Sequence, residues 1–337
     1  MNVLVTGATG HIGNVLVREL LAEGETVRVL VLPSEDDLPI RGLNVEKVTG
    51  DICNLDSLVP AFTGMDIVYH LAGIIAITPG KQALLDRVNV EGTRNVIKAC
   101  LAAGPRLVYT SSIHAIQEPP HGTIIDEACP VDSVNVLGEY ARSKALATLA
   151  VQKAVEQGLD AVIVHPTGVI GPFDFRISEM GQLILDFVRG RLKAYLDGAY
   201  DFADVRDVAR GMIQAGKKGR SGERYILSGQ QISIKDLMRV LEESTGKKAP
   251  TFKIPAWLAR TVGKLAPIYY RIIRSKPLFT DYSVDVLCSN SLVTSQKAHL
   301  ELGYTPRAVR ESIADAVDWF RHNFVLELAP AKVDAKS

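Results

Sequence analysis

A glycine-rich segment near the N-terminus, GATGHIG at residues 7–13, constrains the fold of this chain more than any other feature. It follows a short run of branched apolar residues, Asn2–Thr6, and precedes a helical pattern over His11–Ala22. An uninterrupted apolar run of this kind is typical of a strand that is buried on both faces. The next apolar run, Thr26–Leu32, completes a strand–helix–strand unit. The three glycines therefore lie in the turn between a strand and a helix.

Such a turn suits a pyrophosphate, because a helix N-terminus presents free backbone N–H groups and a partial positive charge. Gly7 would allow the tight turn, Gly10 the approach of the phosphate, and Gly13 the contact between helix and strand. The spacing is GxxGxxG, which differs from the GxGxxG pattern by one residue. A cluster of turn glycines without a ligand is the alternative, and the strand–helix–strand context favours the phosphate site.

Strands and helices continue to alternate along the first half of the chain. Further strands are predicted at Val45–Thr49, Asp66–His70, Arg106–Ser111 and Asp160–His165, and helices at Leu55–Phe62, Leu84–Ala103 and Gly138–Gln157. This alternation predicts an α/β fold with a doubly wound, parallel Rossmann sheet. The rhythm breaks after Pro166. We predict a dinucleotide-binding domain over residues 1–165, a smaller, mostly C-terminal substrate-binding part over 166–328 with segments that return to the sheet, and a flexible tail over 329–337.

Charge and composition exclude several other classes of protein. Lys+Arg and Asp+Glu both number 38 in the 337 residues, so no net positive charge attracts nucleic acid. The four cysteines lie far apart without a CxxC pair, which predicts neither disulfides nor a metal site. No apolar run approaches the roughly 20 residues of a membrane helix, and no basic segment precedes the first strand. We expect a cytoplasmic protein with a small-molecule substrate, no metal, no nucleic-acid partner and no integral membrane segment.

A second chemical feature is the segment YARSK, Tyr140–Lys144. On a helix, residues four apart project from one face, and a nearby ammonium group favours the phenolate. Lys144 would thereby lower the pKa of Tyr140 from about 10 and make it a general acid or base. A solvated helical pair is the alternative. Ser112 favours catalysis, because it follows a predicted strand and lies at the edge of the sheet where ligands bind.

Further motifs occur in the order and spacing of one family. They are GD at 50–51, HLAG at 70–73, NVEGTRNV at 89–96, HPTGVIGP at 165–172 and DFADVRDVA at 201–209. With the glycine segment, they make the chain resemble the extended short-chain dehydrogenases/reductases, or NAD-dependent epimerase/dehydratase family. The resemblance runs from Thr6 to Arg307. It is to the branch that contains dihydroflavonol-type reductases, 3β-hydroxysteroid dehydrogenases and sugar-nucleotide epimerases and dehydratases.

The resemblance implies roles for four residues. Tyr140 would be the acid/base, Lys144 would lower its pKa and bind the nicotinamide ribose, and Ser112 would orient the substrate oxygen. Asn89 would either hold a water on a proton relay or act as the N-cap of a helix.

The resemblance also implies the surroundings of the cofactor and the substrate. The predicted cofactor contacts are Gly7, Thr9, Gly10, His11, Ile12, Gly13, Leu32, Ser34, Asp51, Ile52, Leu71, Ala72, Gly73, Ser111, Tyr140, Lys144, Pro166, Thr167, Gly168 and Val169. His114, Ile74 and Phe173 are predicted to line the substrate pocket. His70 and His165 end apolar strands and are interpreted as core residues.

The sequence departs from the family pattern at the end of the second strand. NADP-using relatives commonly carry an arginine there and NAD-using relatives an aspartate, whereas this chain has Leu32, followed by Ser34 and three carboxylates at 35–37. Those carboxylates would repel a 2′-phosphate. We therefore expect NAD(P) as the cofactor, with NAD favoured, unless Arg41 folds back and reverses the preference.

These features predict an enzyme that moves hydride between nicotinamide C4 and a secondary alcohol or ketone of a small, fairly hydrophobic substrate. One alternative is a nucleotide-sugar epimerase or dehydratase, with Arg176, Arg189 and Arg191 available for the diphosphate. Another is a non-catalytic cofactor-sensing protein, although such proteins typically lack the tyrosine–lysine pair. The resemblance also allows a homodimer formed through two helices of the sheet domain.

One basic segment does not belong to these motifs. Residues 247–276 contain eight Lys or Arg and neither Asp nor Glu, with four aromatic residues among them. We interpret its centre, Ala256–Leu265, as a helix that packs over the pocket with solvated charges. A membrane-surface or nucleic-acid patch is the alternative.

Overall fold

The computed structural model describes residues 1–76, 80–255, 285, 287 and 289–324. The strands are β1 (Asn2–Thr6), β2 (Thr26–Val31), β3 (Glu46–Thr49), β4 (Ile67–His70), β5 (Arg106–Thr110), β6 (Ala161–Pro166), β7 (Gly168–Ile170), β8 (Ala194–Leu196), β9 (Ala199–Asp204), β10 (Arg224–Leu227), β11 (Gln230–Ser233) and β12 (Phe252–Ile254). The helices are α1 (His11–Ala22), α2 (Leu55–Phe62), α3 (Gln82–Leu85), α4 (Gly92–Ala103), α5 (Gly138–Glu156), α6 (Glu179–Val188), α7 (Val205–Lys218), α8 (Ile234–Thr245), α9 (Gln296–Leu302) and α10 (Val309–Asn323).

The largest layer is a parallel sheet, which in the described part of the chain contains seven strands in the order β10-β6-β5-β4-β1-β2-β3. One apolar core lies beneath α1 and α7, and a second lies beneath α2, α4 and α5. Helices thus cover both faces of the sheet, as its continuously apolar strands require. The predicted doubly wound α/β fold is confirmed. Its winding reverses between β1 and β4, and in such sheets ligands bind beyond the carboxyl ends of the strands at this point.

The second half of the chain contributes to this sheet as well. β10 pairs with β6 at the sheet edge, and α7 packs against α1. The remaining elements form a smaller layer, in which the described strands pair in the orders β11-β9-β7 and β12-β8. Its apolar core is built from α6, α8 and α10. The domain boundary at residue 165 remains a prediction, and the predicted tail 329–337 and helix Ala256–Leu265 lie outside the described residues.

The predicted single helix Leu84–Ala103 is wrong. The structure has α3, then a π-helical turn over Asp86–Glu91, then α4. Within the turn, the backbone carbonyl of Asn89 accepts a hydrogen bond from Thr93 Oγ1 at 2.6 Å. Single π-helical turns inside α-helices occur frequently at functional sites. Here the wide turn carries a predicted site residue, Asn89.

Candidate active site

The glycine turn after β1 contains two glycines that the fold itself requires. Gly7 has φ +73°, and a Cβ there would lie 2.6 Å from the backbone nitrogen of Ala72. A Cβ on Gly13 would lie 2.0 Å from the carbonyl oxygen of Gly7. Gly10 differs, because a Cβ there would meet that same oxygen at 3.3 Å and no other described atom within 4 Å. The protein alone has little need of glycine at position 10.

The N-terminus of α1 lies directly at Gly10, its N-cap residue. No described side chain caps this end, and the first turn holds no acidic residue. Its backbone N–H groups are therefore not capped by a side chain or matched by a carboxylate of the helix's own first turn, which is the arrangement that binds a phosphate. Together with the space at Gly10, this cradle fits the pyrophosphate of a dinucleotide. The glycine turn would hold that group, with N–H groups from His11, Ile12 and Gly13.

The predicted catalytic side chains come together on α5 and at the end of β5. Tyr140 and Lys144 are both buried, one helical turn apart. The Ser112 side chain lies close enough to the phenol of Tyr140 to lower its pKa. Lys144 Nζ donates to the carbonyl oxygen of Thr110 at 2.7 Å. The neighbouring Ser111 turns to α5 instead, with its Oγ 2.6 Å from Thr148 Oγ1.

The predicted lowering of the Tyr140 pKa is wrong for this structure. Burial raises the pKa of Tyr140 to about 12, and the nearby Ser112 hydroxyl opposes that rise only in part. Burial also lowers the pKa of Lys144 to about 8. The sequence spacing correctly placed the two residues one turn apart on a helix, but it did not reveal that both groups are removed from water, which disfavours each charged form. Near neutral pH, Tyr140 is a phenol and therefore a proton donor.

Asn89 joins the loop after β4 to the catalytic helix. Its amide nitrogen donates to Ile74 O at 3.0 Å and to Ser143 Oγ at 2.9 Å, and its oxygen accepts from Ile74 N at 2.8 Å. The N-cap interpretation of Asn89 is wrong, because the residue lies within the π-helical turn. The structure supports a role in holding the loop and α5 together.

The cofactor-binding motifs surround the same edge of the sheet. The backbone N–H groups of Leu71 and Ala72 donate to Thr6, and a Cβ on Gly73 would lie 3.1 Å from Asn89 Oδ1. Elsewhere, Asp51 accepts from the N–H of Cys53 at 2.8 Å, while Ile52 packs beside Gly92. Pro166 ends β6, and Gly168 and Val169 lie in β7, where a Cβ on Gly168 would collide with the ring of Phe202. That these residues contact the cofactor remains a prediction.

The two histidines interpreted as core residues are fully buried and hydrogen-bonded. His70 bonds Thr6 Oγ1 at 2.8 Å and Thr93 Oγ1 at 3.1 Å. His165 Nδ1 donates to the carbonyl oxygen of Ser112 at 3.0 Å, and burial lowers its pKa to about 3. The core interpretation is confirmed, and His165 additionally holds the backbone of Ser112.

At the end of β2, Leu32 is exposed and its side chain offers no polar group. Arg41 does not fold back toward it. Arg41 Nη2 lies 3.1 Å from Asp37 Oδ1, and Lys47 Nζ donates to the other oxygen, Asp37 Oδ2, at 2.7 Å. The suggested reversal of cofactor preference by Arg41 is therefore not what the structure shows. Ser34, the other residue predicted here, is exposed to solvent.

A cavity of about 100 Å³ is lined in part by Ile113 and Ala141, the chain neighbours of Ser112 and Tyr140. Among the described residues of its wall, none is Lys or Arg, and two, Glu118 and Asp201, are acidic. Its apolar side is formed by Ile113, Ile116, Ile125, Val136, Leu137 and Val293. The cavity therefore combines an apolar side with polar groups, and no Lys or Arg is among the described residues of its wall.

One of the three predicted pocket residues, His114, lines this cavity, together with Tyr200. His114 Nε2 and the Tyr200 hydroxyl are hydrogen-bonded at 2.8 Å, and burial lowers the pKa of His114 to about 4. Ile74 and Phe173 are not part of the described wall; the Phe173 ring instead lies 4.8 Å from the guanidinium of Arg18. Sequence reasoning missed Tyr200, although it directly precedes the DFADVRDVA motif.

Comparisons with known proteins agree with this geometry. The chain matches the NAD dependent epimerase/dehydratase family over residues 3–228. It is 39% identical over 324 residues to sterol demethylase protein B of Methylococcus capsulatus, covering 95% of this chain and 98% of that protein. It is 30% identical over 304 residues to 3beta-hydroxysteroid-dehydrogenase/decarboxylase isoform 1 of Arabidopsis thaliana, covering 84% of this chain and 68% of that protein. The crystal structure of gox2253 has 35% identity and a TM-score of 0.85, covering 96% of this chain and 99% of that one.

The chain therefore belongs to the NAD dependent epimerase/dehydratase family, the extended short-chain dehydrogenases/reductases. It is an oxidoreductase of that family, with a nicotinamide dinucleotide as cofactor, and the predicted family, enzyme class and cofactor class are confirmed. In the part of the chain that the structure describes, no helix is long and apolar enough to cross a membrane.

Proposed function

We propose that this enzyme transfers hydride between nicotinamide C4 and a secondary alcohol or ketone of a hydrophobic, uncharged substrate, with Tyr140 as the acid/base. The observation that carries the proposal is the cavity lined by Ile113 and Ala141, the chain neighbours of Ser112 and Tyr140. Its apolar side and its described wall without Lys or Arg suit an apolar skeleton that bears a few hydroxyl or keto groups.

The arrangement of the polar side chains supports reduction at neutral pH. A reduced dinucleotide held by the glycine turn would supply the hydride, with its two electrons, for the carbonyl carbon. Tyr140, protonated because its pKa is raised to about 12, donates its proton to the carbonyl oxygen, which becomes the hydroxyl of the product. Ser112 holds the same oxygen by a hydrogen bond. Lys144 stabilises the phenolate that is left until a proton from solvent restores the phenol.

The relatives favour an alicyclic substrate. One is named a sterol demethylase protein and another a 3beta-hydroxysteroid dehydrogenase/decarboxylase. Both names refer to rigid, largely apolar ring systems with a secondary oxygen substituent. We propose the same substrate class here, a sterol-like or terpenoid alcohol or ketone.

A nucleotide-sugar substrate has less support. Its diphosphate needs cationic partners, and the described cavity wall has none. Two of the arginines considered for this role are paired: Arg176 with Glu35 at 2.7 Å, and Arg191 with Asp186 at 3.5 Å. Because each of these cations already has a carboxylate beside it, the epimerase alternative remains second.

The test is a substrate screen read by nicotinamide absorbance, with sterol-like ketones, small aliphatic ketones and nucleotide sugars in parallel. We expect turnover of apolar ring ketones and none of nucleotide sugars. Tyr140→Phe should reduce turnover by about 10² to 10⁴ while leaving dinucleotide affinity nearly intact. Tyr69→Phe is the matched control, since Tyr69 is also buried and its hydroxyl has no hydrogen-bond partner among the described residues. Turnover by Tyr140→Phe within a few-fold of the parent would contradict the role of Tyr140.

A further inference from the structure

The turn after β2 carries three consecutive carboxylates, and the structure separates them. The side chains of Asp36 and Asp37 are 72% and 37% exposed and contact Arg41 and Lys47 on the outer surface. The side chain of Glu35 is only 16% exposed. Glu35 alone of the three turns back toward the glycine turn.

The contacts of Glu35 come from three separate segments. Its Oε1 accepts from Thr9 Oγ1 at 2.5 Å and from Arg176 Nη2 at 2.7 Å. Its Oε2 accepts from the backbone N–H of Leu32 at 3.2 Å. The carboxylate thus lies between the glycine turn and the end of β2. It reaches the position where the side chain of Leu32 offers nothing polar.

We propose that Glu35 is the acceptor for the adenosine ribose hydroxyls of the cofactor, that Arg176 is its positioning residue, and that this pair makes the enzyme select NAD(H) over NADP(H). A carboxylate can only accept hydrogen bonds, so it binds the 2′-hydroxyl of NAD and repels the 2′-phosphate of NADP. The inference rests on the family's cofactor and is independent of the substrate.

Arg176 is held in place to serve Glu35. It belongs to the segment after β7, which is fixed to α1 by two hydrogen bonds: His11 Nε2 donates to Pro172 O at 2.9 Å, and Asn14 Nδ2 to Phe173 O at 3.1 Å. Phe173 itself has φ +67°, a backbone conformation that a non-glycine residue adopts only when its surroundings impose it. The backbone segment that precedes Arg176 is therefore fixed to α1, which keeps the guanidinium within reach of Glu35.

A 2′-phosphate would have to displace Glu35 from this guanidinium. That exchange would leave a largely buried carboxylate without its cation beside a doubly charged phosphate, which is strongly unfavourable. Ribose hydroxyls require no such exchange, because they can donate to Glu35 while Arg176 remains in contact with it. The ion pair is thus compatible with NAD and not with NADP.

The experiment measures binding of NADH and NADPH to the full chain without substrate, by calorimetry or nicotinamide fluorescence. The parent should bind NADH at least tenfold more tightly. Glu35→Gln should weaken NADH binding and reduce the NADH/NADPH affinity ratio at least fivefold. Asp36→Asn, which removes the same charge one residue away, should change that ratio less than twofold. Arg176→Met should lower the affinity for NADH a few-fold without raising the affinity for NADPH. Circular dichroism would confirm that each variant is folded.

Three results would overturn the inference. The parent could bind NADPH as tightly as NADH or more tightly, and Arg176→Met could selectively lose NADPH binding. That result would show that Arg176 is a phosphate ligand. Equal effects of Glu35→Gln and Asp36→Asn on the affinity ratio would show that Glu35 acts only through its charge and not through a specific contact. Binding of neither dinucleotide would overturn the pair and the proposed function together. Intact NADH selectivity with no turnover of any ketone would instead contradict the proposed function alone.

Discussion

The side-chain amide of Asn89 donates a hydrogen bond to Ser143 Oγ at 2.9 Å, and Ser143 Oγ donates to the backbone carbonyl of Tyr140 at 2.7 Å. This chain of two bonds connects the π-helical turn to the helix that carries Tyr140 and Lys144. Ser143 is completely buried, so water cannot substitute for either bond. The relationship predicts that Ser143 positions Tyr140, the proposed acid/base, without contacting the substrate.

Ser143→Ala removes both hydrogen bonds, and we expect it to lower kcat about fivefold, because losing the one to Tyr140 should weaken the positioning of that residue by about 1 kcal/mol. KM and NADH affinity should change less than twofold, because no binding group is removed. Steady-state kinetics and a binding titration check this, and a denaturant curve measures the accompanying loss of stability. Unchanged kcat in a destabilised variant would show that the connection is structural only.

The glycine turn offers a matched pair of substitutions. Gly10→Ala should weaken NADH binding at least tenfold with little change in Tm, since its Cβ projects where the pyrophosphate must approach. Gly13→Ala should instead destabilise the fold by several kcal/mol, on the order of other overpacked sites, because its Cβ would lie 2.0 Å from Gly7 O. Calorimetric titration and thermal unfolding separate the two effects. Unaltered NADH affinity in Gly10→Ala would mean that the glycines serve only the turn.

Burial of Lys144 predicts a pH dependence of stability. Its pKa is lowered from 10.5 to about 8 in the folded protein, so between those values the unfolded state binds more protons. Stability contributed through this group is therefore least below pH 8 and rises as the pH increases toward 10.5, by about 3 kcal/mol at most. Lys144→Met should remove this rise. Urea midpoints of parent and variant at pH 7, 8.5 and 10 measure it, and parallel curves would show that Lys144 is not buried as a cation.

The hydrogen-bonded pair of His114 and Tyr200 predicts a different outcome for the substrate cavity. Because burial lowers the pKa of His114 to about 4, this residue stays neutral from pH 5 to 8. Its ionisation should contribute no inflection to kcat/KM in that range. His114→Gln should raise KM for the ketone while leaving the shape of the profile unchanged. An inflection of kcat/KM near pH 6.5 that disappears in His114→Gln would show that His114 is protonated in this pH range, contrary to the prediction.

Much of the sheet domain was predictable from local patterns. The bounds of α1 and α2 agree with the predicted helices residue for residue, and the first six strands are displaced by at most one residue at either end. Apolar periodicity and turn glycines report local geometry, which is why they sufficed here. The same logic paired Tyr140 with Lys144, since a spacing of four residues on a helix does not depend on the rest of the fold.

What the sequence alone determined is therefore the alternation of strands and helices, the glycine turn and the placement of Tyr140 and Lys144 one turn apart on a helix. Tertiary structure decided the protonation of Tyr140, because desolvation depends on every element packed around it. It also decided that Glu35 rather than Leu32 faces the glycine turn, and that β10 joins the sheet. The cavity wall combines segments near residues 113–125, 135–141, 200–201 and 289–293. Contacts between such distant segments leave no periodic signal, since side-chain direction in irregular backbone is set by packing and hydrogen bonds made only after the chain has folded.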